Sequence, residues 1–137
     1  MVELEVWYDQ TPQNDYSESD PAIIIRTVAE LDALIERVLD ETKDHRCPAM
    51  IEVSITGTPL PVLEVGLGQE KGFIKYHAED GGTTKGKGDP TENVEYVSGG
   101  TLSEVSADVE VDIQTVRQGL VEFLTTGARP TATFDVT

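Results

Sequence analysis

Val62-Leu63-Glu64-Val65-Gly66-Leu67, then Gly68-Gln69-Glu70-Lys71-Gly72, then Phe73-Ile74-Lys75-Tyr76-His77: two apolar, β-branched and aromatic runs meet at a glycine-bounded turn. A spacing this short joins neighbouring strands antiparallel. Upstream, Ala49 to Ile55 alternates in the same way, and Gly57, Pro59 and Pro61 make the turn into Val62, so the stretch reads as a meander. Pro48 closes a preceding helical segment. In that helix Val28, Leu31, Leu34 or Ile35, Val38 and Leu39 recur at helical spacing, and Thr27-Val28-Ala29-Glu30 has capping-box spacing at its start.

Further out, Val2 to Tyr8 alternates with Val2, Leu4, Val6 and Tyr8 on one side and Glu3, Glu5 and Trp7 on the other. That is the period of a strand with one covered face. Asp9 to Pro21 carries acids and turn formers without a base and reads as a loop, and Ala22 to Arg26 is a short β-branched run. Towards the C-terminus, Ala78 to Asn93 is rich in Gly, Asp and Thr and precedes a strand at Val94 to Ser98. Asp112 is placed to cap a second helix with Ile113, Val116, Leu120, Phe123 and Leu124 on its apolar face; Gly127 stops it, and a final strand follows from about Thr131 to Val136. The order predicts an α+β fold, a mostly antiparallel sheet of about six to seven strands with two helices packed on one face. Met1 to Thr137 forms one domain in this reading.

The chain carries a formal charge of −16 on 137 residues, from 26 Asp and Glu against 10 Lys and Arg. A field of that sign steers basic partners in and repels nucleic acid and anionic membranes. Cys47 is the only cysteine, which excludes an intrachain disulfide and a thiol redox pair and fits a reducing compartment. The N-terminus lacks the basic and apolar regions of a secretory signal, so a soluble, cytoplasmic protein is expected.

No motif points to catalysis or to a cofactor. Gly66-Leu67-Gly68 follows a strand, but Lys71 stands where a dinucleotide fingerprint needs its third glycine, and no helix follows. Lys85-Gly86-Lys87-Gly88 lacks the Gly-Lys-Ser/Thr ending and the helix of a phosphate loop. His45, Cys47, His77 and Glu79 have no ligand spacing that brings four donors to a zinc ion, and neither histidine sits in a nucleophile motif.

The acids are more informative in their placement. Asp32, Glu36 and Asp40 lie four apart on the first helix, a like-charged stripe in which each pair costs about 0.2–0.5 kcal/mol. Arg37 and Lys43 partly offset it, and a solvated face is the plain explanation. Gly88 to Val116 contains Asp89, Glu92, Glu95, Glu104, Asp108, Glu110 and Asp112 with no Lys or Arg, and includes Tyr96, a residue type that anchors interfaces.

From Pro61 onward the features also come in a recognisable order. Pro61 to Gly68 leads to Gly72-Phe73-Ile74-Lys75-Tyr76, Asp80-Gly81-Gly82, Lys87-Gly88-Asp89-Pro90, Val94-Glu95-Tyr96 and Gly99-Gly100, and the second helix closes as Glu122-Phe123-Leu124-Thr125-Thr126-Gly127-Ala128-Arg129-Pro130. Together they resemble the first Imm family of bacterial immunity proteins, the actinobacterial type, encoded beside polymorphic toxins. Thr83-Thr84 departs from the aromatic character expected before the Lys87 turn. The resemblance implies an inhibitor without catalytic residues that binds and neutralises a cognate toxin, often of the deaminase fold. The expected partner is then a protein with a basic substrate-binding surface, with no direct contact to nucleic acid or membrane. The first-choice contacts are Glu79, Asp80, Asp89, Glu92, Glu95 and Tyr96, then Glu104 and Asp108; Asp32, Glu36 and Asp40 form the competing surface, and Trp7 and Tyr8 contribute if their strand is an exposed edge. A general acidic or nucleic-acid-mimicking interaction module, or a small-molecule-binding domain, are the alternative readings.

Overall fold

The computed structural model describes residues 1–8, 22–78, 81–98 and 101–134. The expected Asp9 to Pro21 loop, Glu79, Asp80 and the end of the final strand lie outside the described residues. Elements follow in the order β1 (Leu4–Trp7), β2 (Ile23–Ile25), α1 (Val28–Thr42), β3 (Ala49–Ile55), β4 (Val62–Leu67), β5 (Lys71–His77), β6 (Thr83–Thr84), β7 (Asn93–Ser98), β8 (Thr101–Ser106), a 3-10 turn at Ala107–Val109, β9 (Val111–Asp112), α2 (Ile113–Thr126) and β10 (Thr133–Phe134). Among the described residues the strands form one sheet in the order β10-β6-β5-β4-β3-β1-β2, with the β7–β8 hairpin attached to β3 and β9 attached to β5. The fold is α+β with a mostly antiparallel sheet, as expected.

The meander forms in the register its side chains require: Leu63 lies opposite Val53 and Tyr76, and Val65 opposite Ile51 and Ile74. These residues point to one face, where they join Leu4, Val6 and Ile25 and the apolar stripes of both helices in the main core. Leu31, Leu34, Ile35 and Val38 come from α1, and Val116, Leu120, Phe123 and Leu124 from α2. Tyr76 and Phe123 meet edge to face across the sheet–helix interface.

The start of α1 forms the expected capping box with one shift. Thr27 Oγ1 accepts from the Glu30 N–H at 3.1 Å, but the Glu30 carboxylate reaches back to the N–H of Arg26, one residue before the cap, at 2.9 Å. Asp112 stands at the cap of α2 without a side-chain capping bond. Its strand β9 pairs with Lys71-Gly72 instead, and the Ile113 N–H is satisfied by the Glu70 carbonyl at 3.0 Å. Gly127 ends α2 as expected, at φ 71° with its N–H on the Phe123 carbonyl.

Strands β6, β8 and β9 are additional to those expected from the sequence. In β8 the alternation is inverted: Leu102 and Glu104 share the outward face while Ser103 and Val105 lie inward, so no apolar period betrays the strand. Hydrogen bonds outside the ladder hold β6: buried Thr84 accepts from the Ile74 N–H at 3.1 Å and donates to the Val109 carbonyl at 2.7 Å. That is what threonine supplies where aromatic character was expected. Lys85-Gly86-Lys87-Gly88 owes its glycines to the same crossing. A Cβ on Gly86 would collide with the Glu110 carbonyl and one on Gly88 with that of Ala107, so these glycines admit backbone, not phosphate.

Strand β3 is forked. Its Glu52 to Ile55 half pairs with β1, whereas Ala49 pairs in parallel with Val97 of β7. The β7–β8 hairpin thereby folds over the sheet face opposite the helices and seals a second, smaller core of Met50, Phe73, Tyr96 and Val105.

Candidate functional site

The acidic region around β7 and β8 sorts by strand parity. Val94, Tyr96 and Val105 pack inward. Glu95 lies directly opposite Glu104 on the outer side, with Val97 opposite Leu102 beside them. Leu102 is 51% exposed. Like charges directly opposite on neighbouring strands destabilise a sheet by a few tenths to about 1 kcal/mol. Arg46 approaches Glu95 at 3.6 Å, and the Asn93 amide donates to Glu104 at 3.4 Å, which soften the repulsion without neutralising Glu104.

Tyr96 is not on this surface. Its side chain is fully buried, meets Phe73 edge to face with ring centroids 5.0 Å apart, and its hydroxyl donates to Glu110 Oε2 at 2.5 Å. Burial, and after it the Glu110 carboxylate, push the phenol well above its ordinary range. The expected interface anchor is therefore a core residue. A tyrosine reads the same way in sequence whichever side of its strand is covered, and here the hairpin turns it onto Gly66, where a Cβ would strike both aromatic rings.

The other acids of the region divide between turn and surface. Asp89 Oδ1 accepts from the N–H and hydroxyl of Thr91 at 2.9 and 2.7 Å, and these bonds, the backbone one first, hold its carboxyl below the ordinary range. Half-buried Asp108 accepts from Ser106 Oγ, and Glu92 is exposed. The structure thus brings Glu95 and Glu104 together on one outward face and engages Asp89 and Asp108 in local geometry.

The competing stripe lies on the helix side. Arg117 of α2 donates from Nε to Asp32 Oδ1 at 2.6 Å and from Nη2 to Oδ2 at 2.9 Å, a bidentate clamp between the two helices. The clamp's hydrogen bonds hold the Asp32 carboxyl below its ordinary range. Asp40 pairs with Lys43 at 3.2 Å, and Glu36 is exposed.

Strand β1 is not an edge, because β2 lies outside it. Tyr8 faces the helices and is buried, with its hydroxyl on Glu41 at 2.9 Å. Trp7 faces the other way and is 38% exposed. It stands opposite Glu52, which stands opposite Glu64, on the part of the helix-free face that the hairpin leaves uncovered. The signal was the phase of β1, where Trp7 alternates in step with Glu3 and Glu5 rather than with the apolar residues.

A family model described as immunity protein Imm1 matches residues 19–137. The chain belongs to the Imm1 family of immunity proteins. No curated protein matches it. Membership makes this an immunity protein with a toxin protein for a partner, so the chemistry to account for is recognition. Among the described residues of this Imm1 chain, no three His, Cys, Asp or Glu side chains are grouped to hold a metal ion, and no helix is long and apolar enough to cross a membrane.

Proposed function

We propose that this Imm1 protein binds a cognate deaminase-fold toxin and neutralises it by occluding the mouth of its active site, doing no chemistry on it. The observation that carries the reading is the Glu95–Glu104 pair, held face outward beside half-exposed Leu102. A like-charged pair of this kind costs the isolated fold stability and gains its use when a cationic surface sits on it. A deaminase acting on nucleic acid needs a basic approach to the phosphates and a pocket for the extruded base. An acidic protein is drawn in by the field that draws the substrate, and an apolar neighbour such as Leu102 slows its release. On this reading the partner is the toxin alone, without nucleic acid or membrane, and the encounter takes place in the cytoplasm, where Cys47 stays reduced.

The test is charge reversal on a chain that still folds. Glu95→Lys with Glu104→Lys is expected to weaken binding to the toxin domain encoded beside this protein by about tenfold or more and to flatten its salt dependence. Reversal of Glu36 and Asp40, on the opposite side of the sheet, is expected to leave binding nearly unchanged. The opposite pattern would move the interface to the helix side.

A further inference from the structure

The helix-free face carries an unfinished arrangement whose finished counterpart sits on the next residue of the chain. On the helix side, Tyr8, Arg37 and Glu41 form a closed set: the Arg37 guanidinium lies 5.8 Å from the Tyr8 ring centroid, its Nε donates to Glu41 at 3.4 Å, and the Tyr8 hydroxyl donates to the other Glu41 oxygen. On the opposite side, Trp7 has carboxylates and, among the described residues, no cation over its ring. Glu52 lies directly across from it, and Glu5 precedes it by two residues on the same face. Opposed residues in such a pair have Cβ atoms about 4.5–5.5 Å apart, which puts the indole within side-chain reach of Glu52. Among the described residues neither Glu5 nor Glu52 has an ion-pair partner.

We infer that this uncovered half-face receives an arginine or lysine side chain of the toxin, seated on the Trp7 indole between Glu5 and Glu52. Tryptophan is the best aromatic seat for a cation, and partial exposure leaves the indole accessible. The hairpin that carries Glu95 and Glu104 rises from the same side of the sheet, so one docked partner spans both. A second copy of this chain is the wrong occupant, because it brings another charge of −16. The inference rests on the proposed toxin-binding function and adds a second contact to it.

Trp7 is the only tryptophan, so a 5-fluorotryptophan-labelled chain has a single fluorine resonance. Titration with the purified toxin domain is expected to shift that resonance. Trp7→Leu is expected to weaken binding about tenfold and Trp7→Phe less; Glu5→Gln with Glu52→Gln is expected to weaken it similarly while preserving shape. Circular dichroism of each variant checks that it is folded, and the two glutamine changes cover the case in which Trp7→Leu is not. If the toxin domain binds, Glu95→Lys with Glu104→Lys weakens it, and yet the resonance and the affinities of the Trp7, Glu5 and Glu52 variants stay unchanged, the second contact is overturned and the toxin-binding reading stands. Absence of any binding to wild type overturns both. A resonance shift on self-association without toxin, abolished by Trp7→Leu, makes a second copy the occupant and overturns the inference.

Discussion

The two faces of the sheet are built from the same strands by opposite means. The helix side is closed: α1 and α2 cover it with aliphatic side chains, and two of the acids above them are held by arginines, Asp32 by Arg117 and Glu41 by Arg37. Among the described residues the β7–β8 hairpin covers part of the other side, and two pairs of acids stand opposite one another there: Glu95 across from Glu104, and Glu52 across from Glu64. Of these, Glu64 is relieved by Lys75 in register and by a hydrogen bond to His77, and Glu95 is approached by Arg46. Charge on the first face is structural. On the second, Glu52 and Glu104 have no ion-pair partner among the described residues, and on the proposed function a basic protein supplies one.

The contrast is breakable, starting with the largest effect. Phe123→Ala on the helix side removes a fully buried ring from the main core and is expected to cost about 3–5 kcal/mol in urea denaturation. On the hairpin side, Tyr96→Phe keeps the ring and loses only the hydroxyl bond to Glu110, for about 1 kcal/mol. It also changes the alkaline limb. The folded state keeps the Tyr96 phenol protonated, so its stabilisation is complete below the unfolded tyrosine value near about pH 10 and declines as pH rises above it. Tyr96→Phe is expected to flatten that decline in melts taken from neutral to alkaline pH.

Asp32→Asn tests the helix clamp in the opposite pH direction. The folded carboxyl is depressed, so the wild-type advantage over the variant is present above about pH 4 and shrinks as acid protonates the clamp. Convergence of the two melting temperatures as the pH falls from about 4 through the depressed folded value is the expected result. The smallest effect has the most telling sign. Glu104→Lys turns a repulsive cross-strand pair into an attractive one and is expected to raise stability by a few tenths of a kcal/mol while weakening toxin binding. A variant that loses both shows that the Glu95–Glu104 pair belongs to the fold.

Strands β1, β3, β4 and β5 were legible because one side of each carries Leu, Val, Ile or Tyr in strict alternation, and α1 because Thr27 and Glu30 mark its start. The hairpin was half legible. Val94, Tyr96 and Val105 make up its buried side, but Leu102 points outward and Ser103 inward, which erases the period in β8. The candidate surface was legible as charge and not as geometry. Asp32 reads like Glu36 until Arg117, far away in sequence, closes on it, and Tyr96 reads as an anchor until the fork in β3 sets the hairpin down on Phe73.

Among the described residues the outermost strand, β2, is three consecutive isoleucines, Ile23, Ile24 and Ile25, paired on one side to β1. An edge of that composition invites another chain to add its own strand. Two copies approaching edge to edge each carry −16, and that repulsion acts over about 10 Å at 0.1 M salt but only about 3 Å at 1 M. The acidity that, on the proposed function, draws in a basic toxin therefore also opposes strand addition between copies, an opposition that high ionic strength weakens.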